Sequence, residues 1–221
     1  MRFIICDSKG WFNLNSDIQK KNQIKLITKK SDLNIELLKN FNPRYIFFIH
    51  WSWIVDAKIY SSYESIVFHT APLPYGRGGS PIQNLIMRGF KSSPVCALKM
   101  TKELDSGPIY SKIEISLEGS LNTIFKRLNN AINDLIRKII TKKIIPIEQV
   151  GSAFLFKRLT EKDNEIPCNL NLEEIYDRIR MLDDDKYPNA YIKYGDNKIE
   201  FYDAKYKNNS LSVSCKITKW K

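Results

Sequence analysis

The sequence predicts an α/β fold: a mostly parallel sheet with flanking helices, extended at the carboxyl end by a small α+β module with β-hairpins. Three observations predict it. Apolar runs at residues 3–6, 45–49 and 66–68 are continuous rather than alternating, as in strands buried on both faces, and residues 24–27 form a shorter run interrupted only by Lys25. A helical period separates or follows such runs, most clearly over residues 121–139. Beyond Pro146 the pattern shifts to short strands divided by turn signals of two or three residues. Strand and helix alternation of the first kind is Rossmann-like.

Taken in order, Arg2 to Cys6 is the first strand and Ile24 to Ile27 the second. Ser31 and Asp32 open a helix carrying Leu33, Leu37, Leu38 and Phe41. Tyr45 to Ile49 forms the third strand and Ile66 to Phe68 the next. Ser80 and Pro81 supply an N-cap and a first-turn proline for a helix through Ile82, Leu85, Ile86 and Met87. Val95 to Met100 and Ile109 to Leu117 are two further strands. Ser120 caps the longest helix, with Leu121, Ile124, Phe125, Leu128, Ala131, Ile132, Leu135, Ile136 and Ile139 on one face.

Ser152 to Lys157 is strand-like, and Asn171 and Glu174 have capping-box spacing before a helix with Leu172, Ile175, Ile179 and Leu182. Tyr191 to Tyr194, Lys198 to Tyr202 and Leu211 to Ile217 are strands whose separators, Gly195-Asp196-Asn197 and Asn208-Asn209, suit hairpin turns. The expected division is residues 1–150 and 151–221.

At 221 residues with 43% hydrophobic content the chain can bury a substantial core. No run reaches transmembrane length, and the start is charged too soon for a signal peptide, so a cytoplasmic protein with no membrane partner is expected. Cys6, Cys96, Cys168 and Cys215 are scattered without a C-x-x-C pair, which reads as reduced structural thiols. With only two histidines, no metal centre is expected. The net charge of +11 accompanies abundant Lys, Ile and Asn along the whole chain and is read first as compositional bias with solvated lysines. A basic surface would otherwise attract tRNA, a nucleotide-linked sugar or a folate's polyglutamate tail.

Chemistry concentrates in residues 68–82. His69 ends a buried-strand pattern and meets a loop whose φ angles Pro72 and Pro74 restrict, while Gly76, Gly78 and Gly79 admit conformations closed to other residues. A second segment, Lys102 to Pro108, places Asp105 at a sharp turn between two strands. Taken alone, His69 reads as a satisfied buried histidine and Asp105 as a turn residue bonding its own backbone.

Together the pattern H-x-x-x-L-P-x-x-R-G-x-x-P-I (His69, Leu73, Pro74, Arg77, Gly78, Pro81, Ile82) and the later L-D-S-G-P-I resemble the folate-dependent formyltransferases, over roughly the middle half of the chain. The resemblance implies N10-formyltetrahydrofolate as formyl donor and no metal. Formyl transfer to an amine builds negative charge on an oxygen and positive charge on the attacking nitrogen. The implied catalytic residues are His69, which stabilises or protonates the oxygen, and Asp105, which orients the histidine and relays a proton. Pro74, Tyr75, Gly76, Arg77 and Gly78 would contact the acceptor, Arg77 as a fork suited to phosphate. His50, Trp51, Ser52 and Trp53, with Thr101, Lys102 and Leu104, would border the pterin. The two tryptophans read equally well as ordinary packing.

The sequence departs from the resemblance at Val67, where the family ordinarily carries an asparagine able to donate to the developing oxyanion. Asn84 is the expected substitute, with Gln83 or a backbone N–H as alternatives. Compactness and the loop sequence point to a sugar N-formyltransferase acting on a nucleotide-linked amino sugar for surface polysaccharide synthesis. On that reading folate is a partner, a homodimer is compatible and nucleic acid is not expected. The alternatives are a methionyl-tRNA formyltransferase, or a folate- or nucleotide-binding homologue with little or no catalysis.

Overall fold

A computed structural model describes residues 1–220. In chain order the elements are β1 (Arg2–Cys6), α1 (Ser16–Lys20), β2 (Gln23–Ile27), α2 (Ile35–Phe41), β3 (Tyr45–Phe48), α3 (Ala57–Ser62), β4 (Ser65–Thr70), β5 (Tyr75–Gly78) and α4 (Pro81–Ile86). There follow β6 (Ser92–Lys99), β7 (Ile109–Ser116), α5 (Leu121–Thr141), β8 (Phe154–Phe156), α6 (Leu172–Arg180), β9 (Ala190–Tyr194), β10 (Asn197–Lys207) and β11 (Ser210–Lys219). Two compact units emerge. One comprises Met1–Arg77, Pro94–Glu114 and Leu128–Phe154; the other comprises Gly78–Ser93, Ile115–Arg127 and the described chain from Leu155 onward.

The first unit is organised by a six-stranded sheet of order β2-β1-β3-β4-β6-β7. Strands β1 to β4 run parallel to one another, with Ile5 opposite both Leu26 and Phe47 and with Phe48 opposite Val67. β6 runs antiparallel to β4, placing Cys96 opposite His69. The sheet is therefore mostly parallel, as expected. One face buries Ile4, Cys6, Ile27, Leu38, Ile46, Phe48 and Ile59, and Val67 packs against this cluster. Each such side chain contributes about 1.5–3 kcal/mol by leaving water. The order reverses at β1, so the loops after β1 and β3 emerge side by side, where open α/β sheets hold ligands.

The helix expected from Ser31 begins later. Lys30–Asp32 forms a single 3-10 turn, and Asn34 caps α2 by accepting from Leu37 N. Two short helices escaped the sequence reading, α1 capped by Asn15 and α3 capped by Asp56.

In the second unit, β9, β10 and β11 form an antiparallel sheet of order β11-β10-β9. Gly195 and Asp196 make the first turn; Asn208 and Asn209, at φ +51° and +56°, make the second in the mirror-image geometry that two-residue hairpins prefer. α6 starts with the capping box of Asn171 and Glu174. It presents buried Arg180, whose guanidinium pairs with Asp177 and donates to the carbonyls of Leu117 and Gly119. Ser80 is not the cap expected of it. It stands at φ +47° without a side-chain bond to α4, and its hydroxyl accepts from Leu159 N instead. Among the described residues no helix is long and apolar enough to cross a membrane.

Candidate active site

His69 lies one residue before the end of β4 and is only 7% exposed. Its Nε2 is 2.7 Å from the Gly76 carbonyl oxygen. That oxygen only accepts, so Nε2 carries the hydrogen. On the other side of the ring Nδ1 faces Asp105 Oδ2 at 3.4 Å. Gly76 turns its carbonyl back at the histidine from φ +89°, a conformation for which glycine pays no steric penalty.

Asp105 is 8% exposed and sits at φ +52°. The surrounding turn is tightly tied. Lys99 N donates to Pro108 O, and a Cβ added at Gly107 would fall 1.8 Å from Lys99 O, so only glycine fits. Thr101 Oγ1 and Ser106 Oγ stand 2.9 Å apart, and both donate to Glu103 O. The Thr101 hydroxyl thus serves the turn, while Lys102 and Leu104 are exposed beside it.

Gln149 completes this cluster and has no counterpart in the sequence reading. Arg77 Nε and Nη2 donate to its Oε1 at 3.1 and 2.8 Å, and its Nε2 donates to the carbonyls of Asp105 and Gly107 at 2.8 and 2.9 Å. Arg77, expected to face an acceptor phosphate, commits two donors to a side chain of its own unit. Nothing in the irregular segment after Pro146 signals this, because its meaning arises only when distant loops meet.

The other loop residues divide clearly. Pro74 is buried and its carbonyl accepts from Phe154 N, while Tyr75 stacks on Phe154 with centroids 4.9 Å apart. Gly78, in the second unit, meets Phe156 O so closely that a Cβ would lie 2.6 Å away. Asn84 is 2% exposed, and its amide donates to the carbonyls of Gly79, Ser80 and Lys157 while its Oδ1 accepts from Arg88. Both amide hydrogens are engaged in binding the loop to the segment after β8. The sequence reading expected this amide to replace the missing oxyanion donor; its hydrogens here face the three carbonyls. Gln83 is likewise buried and donates to Met181 O.

After β3, His50 takes φ +49° and its carbonyl accepts from Ser8 Oγ, which also contacts Ser52 Oγ at 2.9 Å. The facing loop is organised by Asp7, a buried carboxylate that accepts from Lys9 N, Gly10 N and Phe12 N, another feature the sequence reading missed. Trp11 packs at 5.4 Å on His50. Trp51 meets Trp53 edge-on at 4.9 Å and packs on the apolar cluster, and its Nε1 is buried with no acceptor among the described residues. Trp53 is 39% exposed. Burial pushes the Cys96 thiol up to about 11 and Cys6 higher still, so neither is a nucleophile at neutral pH. Among the described residues no cluster of His, Cys, Asp and Glu could hold a metal ion.

A buried histidine thus faces a carboxylate at the end of a strand in this sheet, and comparison with known proteins gives the family. The solved structure of methionyl-tRNA formyltransferase from Clostridium thermocellum is 40% identical, with a TM-score of 0.93 and 99% of each chain covered. The chain belongs to the formyltransferase family, of the methionyl-tRNA formyltransferase type. The family described as methionyl-tRNA formyltransferase, C-terminal domain, matches residues 161–218. The methionyl-tRNA formyltransferase of Rickettsia felis is 29% identical over 190 residues, 82% of this chain. The chain spans 61% of that relative's length.

These findings overturn the expectation of a nucleotide-sugar acceptor and of polysaccharide synthesis. The Anoxybacillus kamchatkensis formyltransferase solved with a UDP-linked formamido sugar and tetrahydrofolate is 18% identical with a TM-score of 0.59, a likeness of fold alone. Compactness misled because the Clostridium thermocellum protein is matched over 99% of its own chain and is equally short. The expectation that nucleic acid is not a partner falls with it.

Proposed function

We propose that this chain transfers a formyl group from N10-formyltetrahydrofolate to the amino group of methionyl-tRNA. The observation that carries the reading is the His69–Asp105 pair, buried together at 3.4 Å. When bound, the folate supplies the activated one-carbon unit. The residues present fit it: the buried Trp51 indole N–H lacks an acceptor, and a pterin ring offers oxygen and nitrogen acceptors.

His69 is held in one orientation, its Nε2–H on the Gly76 carbonyl and its Nδ1 facing the Asp105 carboxylate. The ring so fixed is the group that stabilises or protonates the formyl oxygen as it turns negative. Asp105 takes a proton from the attacking amine, directly or through water, and passes it towards the leaving nitrogen. Positioned acid–base help of this kind contributes about 10²–10⁴-fold in rate. The acceptor's polyanionic backbone suits a chain of net charge +11. As part of the proposal, residues 1–150 carry the chemistry, residues 151–221 assist the acceptor, and the reaction is cytoplasmic.

Purified protein incubated with N10-formyltetrahydrofolate and methionyl-tRNA is expected to yield formylmethionyl-tRNA. Formation should fall at least about 100-fold in His69→Asn. Folate binding without formylation of the charged tRNA would replace this reading by that of a non-catalytic binder, which Val67 in place of asparagine favours. Neither binding nor formylation would refute both.

A further inference from the structure

We infer that Gln149 is the positioning residue of this site, its amide tying the Arg77 loop to the Asp105 turn and closing a ring of contacts around His69. The inference rests on the function proposed above and deepens it. The ring can be walked atom by atom within the first unit. His69 Nε2 donates to Gly76 O at 2.7 Å; Gly76 is bonded to Arg77; Arg77 donates twice to Gln149 Oε1; Gln149 Nε2 donates to Asp105 O at 2.8 Å; and Asp105 Oδ2 returns to His69 Nδ1 at 3.4 Å.

Only an amide of this reach closes it. Gln149 offers one oxygen with two lone pairs and one nitrogen with two hydrogens, and all four are used, the last hydrogen by Gly107 O. Glutamate would present a carboxylate to two carbonyl oxygens, and lysine or arginine would present donors to the Arg77 guanidinium. The half-buried side chain holds Asp105 by its main-chain oxygen, at a residue whose φ of +52° is unfavourable for aspartate unless its surroundings enforce it. Releasing that oxygen frees the turn to relax and carries the carboxylate away from the histidine. Through Arg77, the same amide steadies the peptide whose carbonyl fixes the far side of the imidazole.

Two variants of the full chain separate the arms. Gln149→Glu keeps an acceptor for Arg77 and loses the donor to Asp105, whereas Gln149→Met keeps the shape and loses both. Turnover on methionyl-tRNA is expected to fall about 10- to 100-fold in each, with KM for the tRNA within about twofold, since a misplacement near 1 Å costs about 100-fold. The chain has two histidines, so the His69 Nε2–H resonance of ¹⁵N-histidine-labelled protein is assigned by its loss in His69→Asn. It should be sharp in the parent and broadened by solvent exchange in Gln149→Met. Circular dichroism confirms that both variants fold, and Gln149→Glu, the isosteric one, decides where Gln149→Met fails to. Parent-like turnover in Gln149→Glu, or an unchanged resonance in Gln149→Met, would overturn the inference. The resonance reads positioning without any catalysis, so a parent chain that fails to formylate tRNA sinks the proposed function and leaves this test standing.

Discussion

Asp105 brings its carboxylate within 3.4 Å of His69 Nδ1 from a left-handed backbone conformation, φ +52°. Asparagine tolerates that conformation at least as well as aspartate, while alanine does not. Asp105→Asn should therefore keep stability within about 1 kcal/mol and lower kcat/KM by about 100- to 1,000-fold. Asp105→Ala should show the same kinetic loss and a further destabilisation of about 1–2 kcal/mol. Formylation kinetics beside urea unfolding distinguish charge from conformation.

Val67 shares a face of β4 with His69, two residues before it, and packs on the cluster of Ile4, Cys6, Ile46 and Phe48. Val67→Asn restores an amide donor beside the histidine at the expense of burying it among apolar groups. Stability should fall by about 1–3 kcal/mol. Turnover should rise at least about tenfold, because one missing oxyanion donor typically costs about 100- to 1,000-fold. Unchanged turnover in a folded variant would show that another group already serves the oxygen.

Asn84 clasps the carbonyls of Gly79 and Lys157. Asn84→Leu leaves both without that donor and should cost about 2–4 kcal/mol in unfolding free energy. The folded fraction should turn over within about tenfold of the parent. A loss beyond about 100-fold at equal folding would restore Asn84 to the chemistry.

Asp183 has its carboxyl held above the ordinary range, first by desolvation and then by the neighbouring charges of Asp203, Asp184 and Asp185, against a hydrogen bond from Asp203 N. A carboxyl raised in the folded state favours folding below its unfolded pKa, and that contribution is lost as pH rises through the folded value. Asp183→Asn should raise the urea midpoint at pH 8, and the gain should vanish at about pH 2.5, well below the ordinary aspartate value.

Much of the architecture is legible in the chain because single residue types dictate it. Asn208 and Asn209 form a positive-φ turn that few other residues accept, and continuous apolar runs mark strands covered on both faces. The short helices α1 and α3 are not legible, since five or six residues give no period and only their caps mark them. Ser80 looks like a cap by composition, yet its hydroxyl is taken by Leu159, a partner 79 residues away. The His69 and Asp105 motifs stand out through ordered spacing. Gln149 becomes meaningful only by closing contacts with residues 72 and 44 positions earlier. The acceptor was misread because compactness does not separate the two kinds of formyltransferase, and an excess of lysine spread with Ile and Asn along the chain passes for a solvated surface.

The two units trade segments along the chain, so no single cut releases either one. A fragment ending at residue 150 would retain Asn84, Gln83 and the carbonyls of Leu117 and Gly119 while discarding Lys157, Met181 and Arg180, which satisfy them. Shortening by evolution or by engineering must therefore remove or replace both ends of each such tie together, and a library of simple truncations should yield insoluble products wherever one end is left behind.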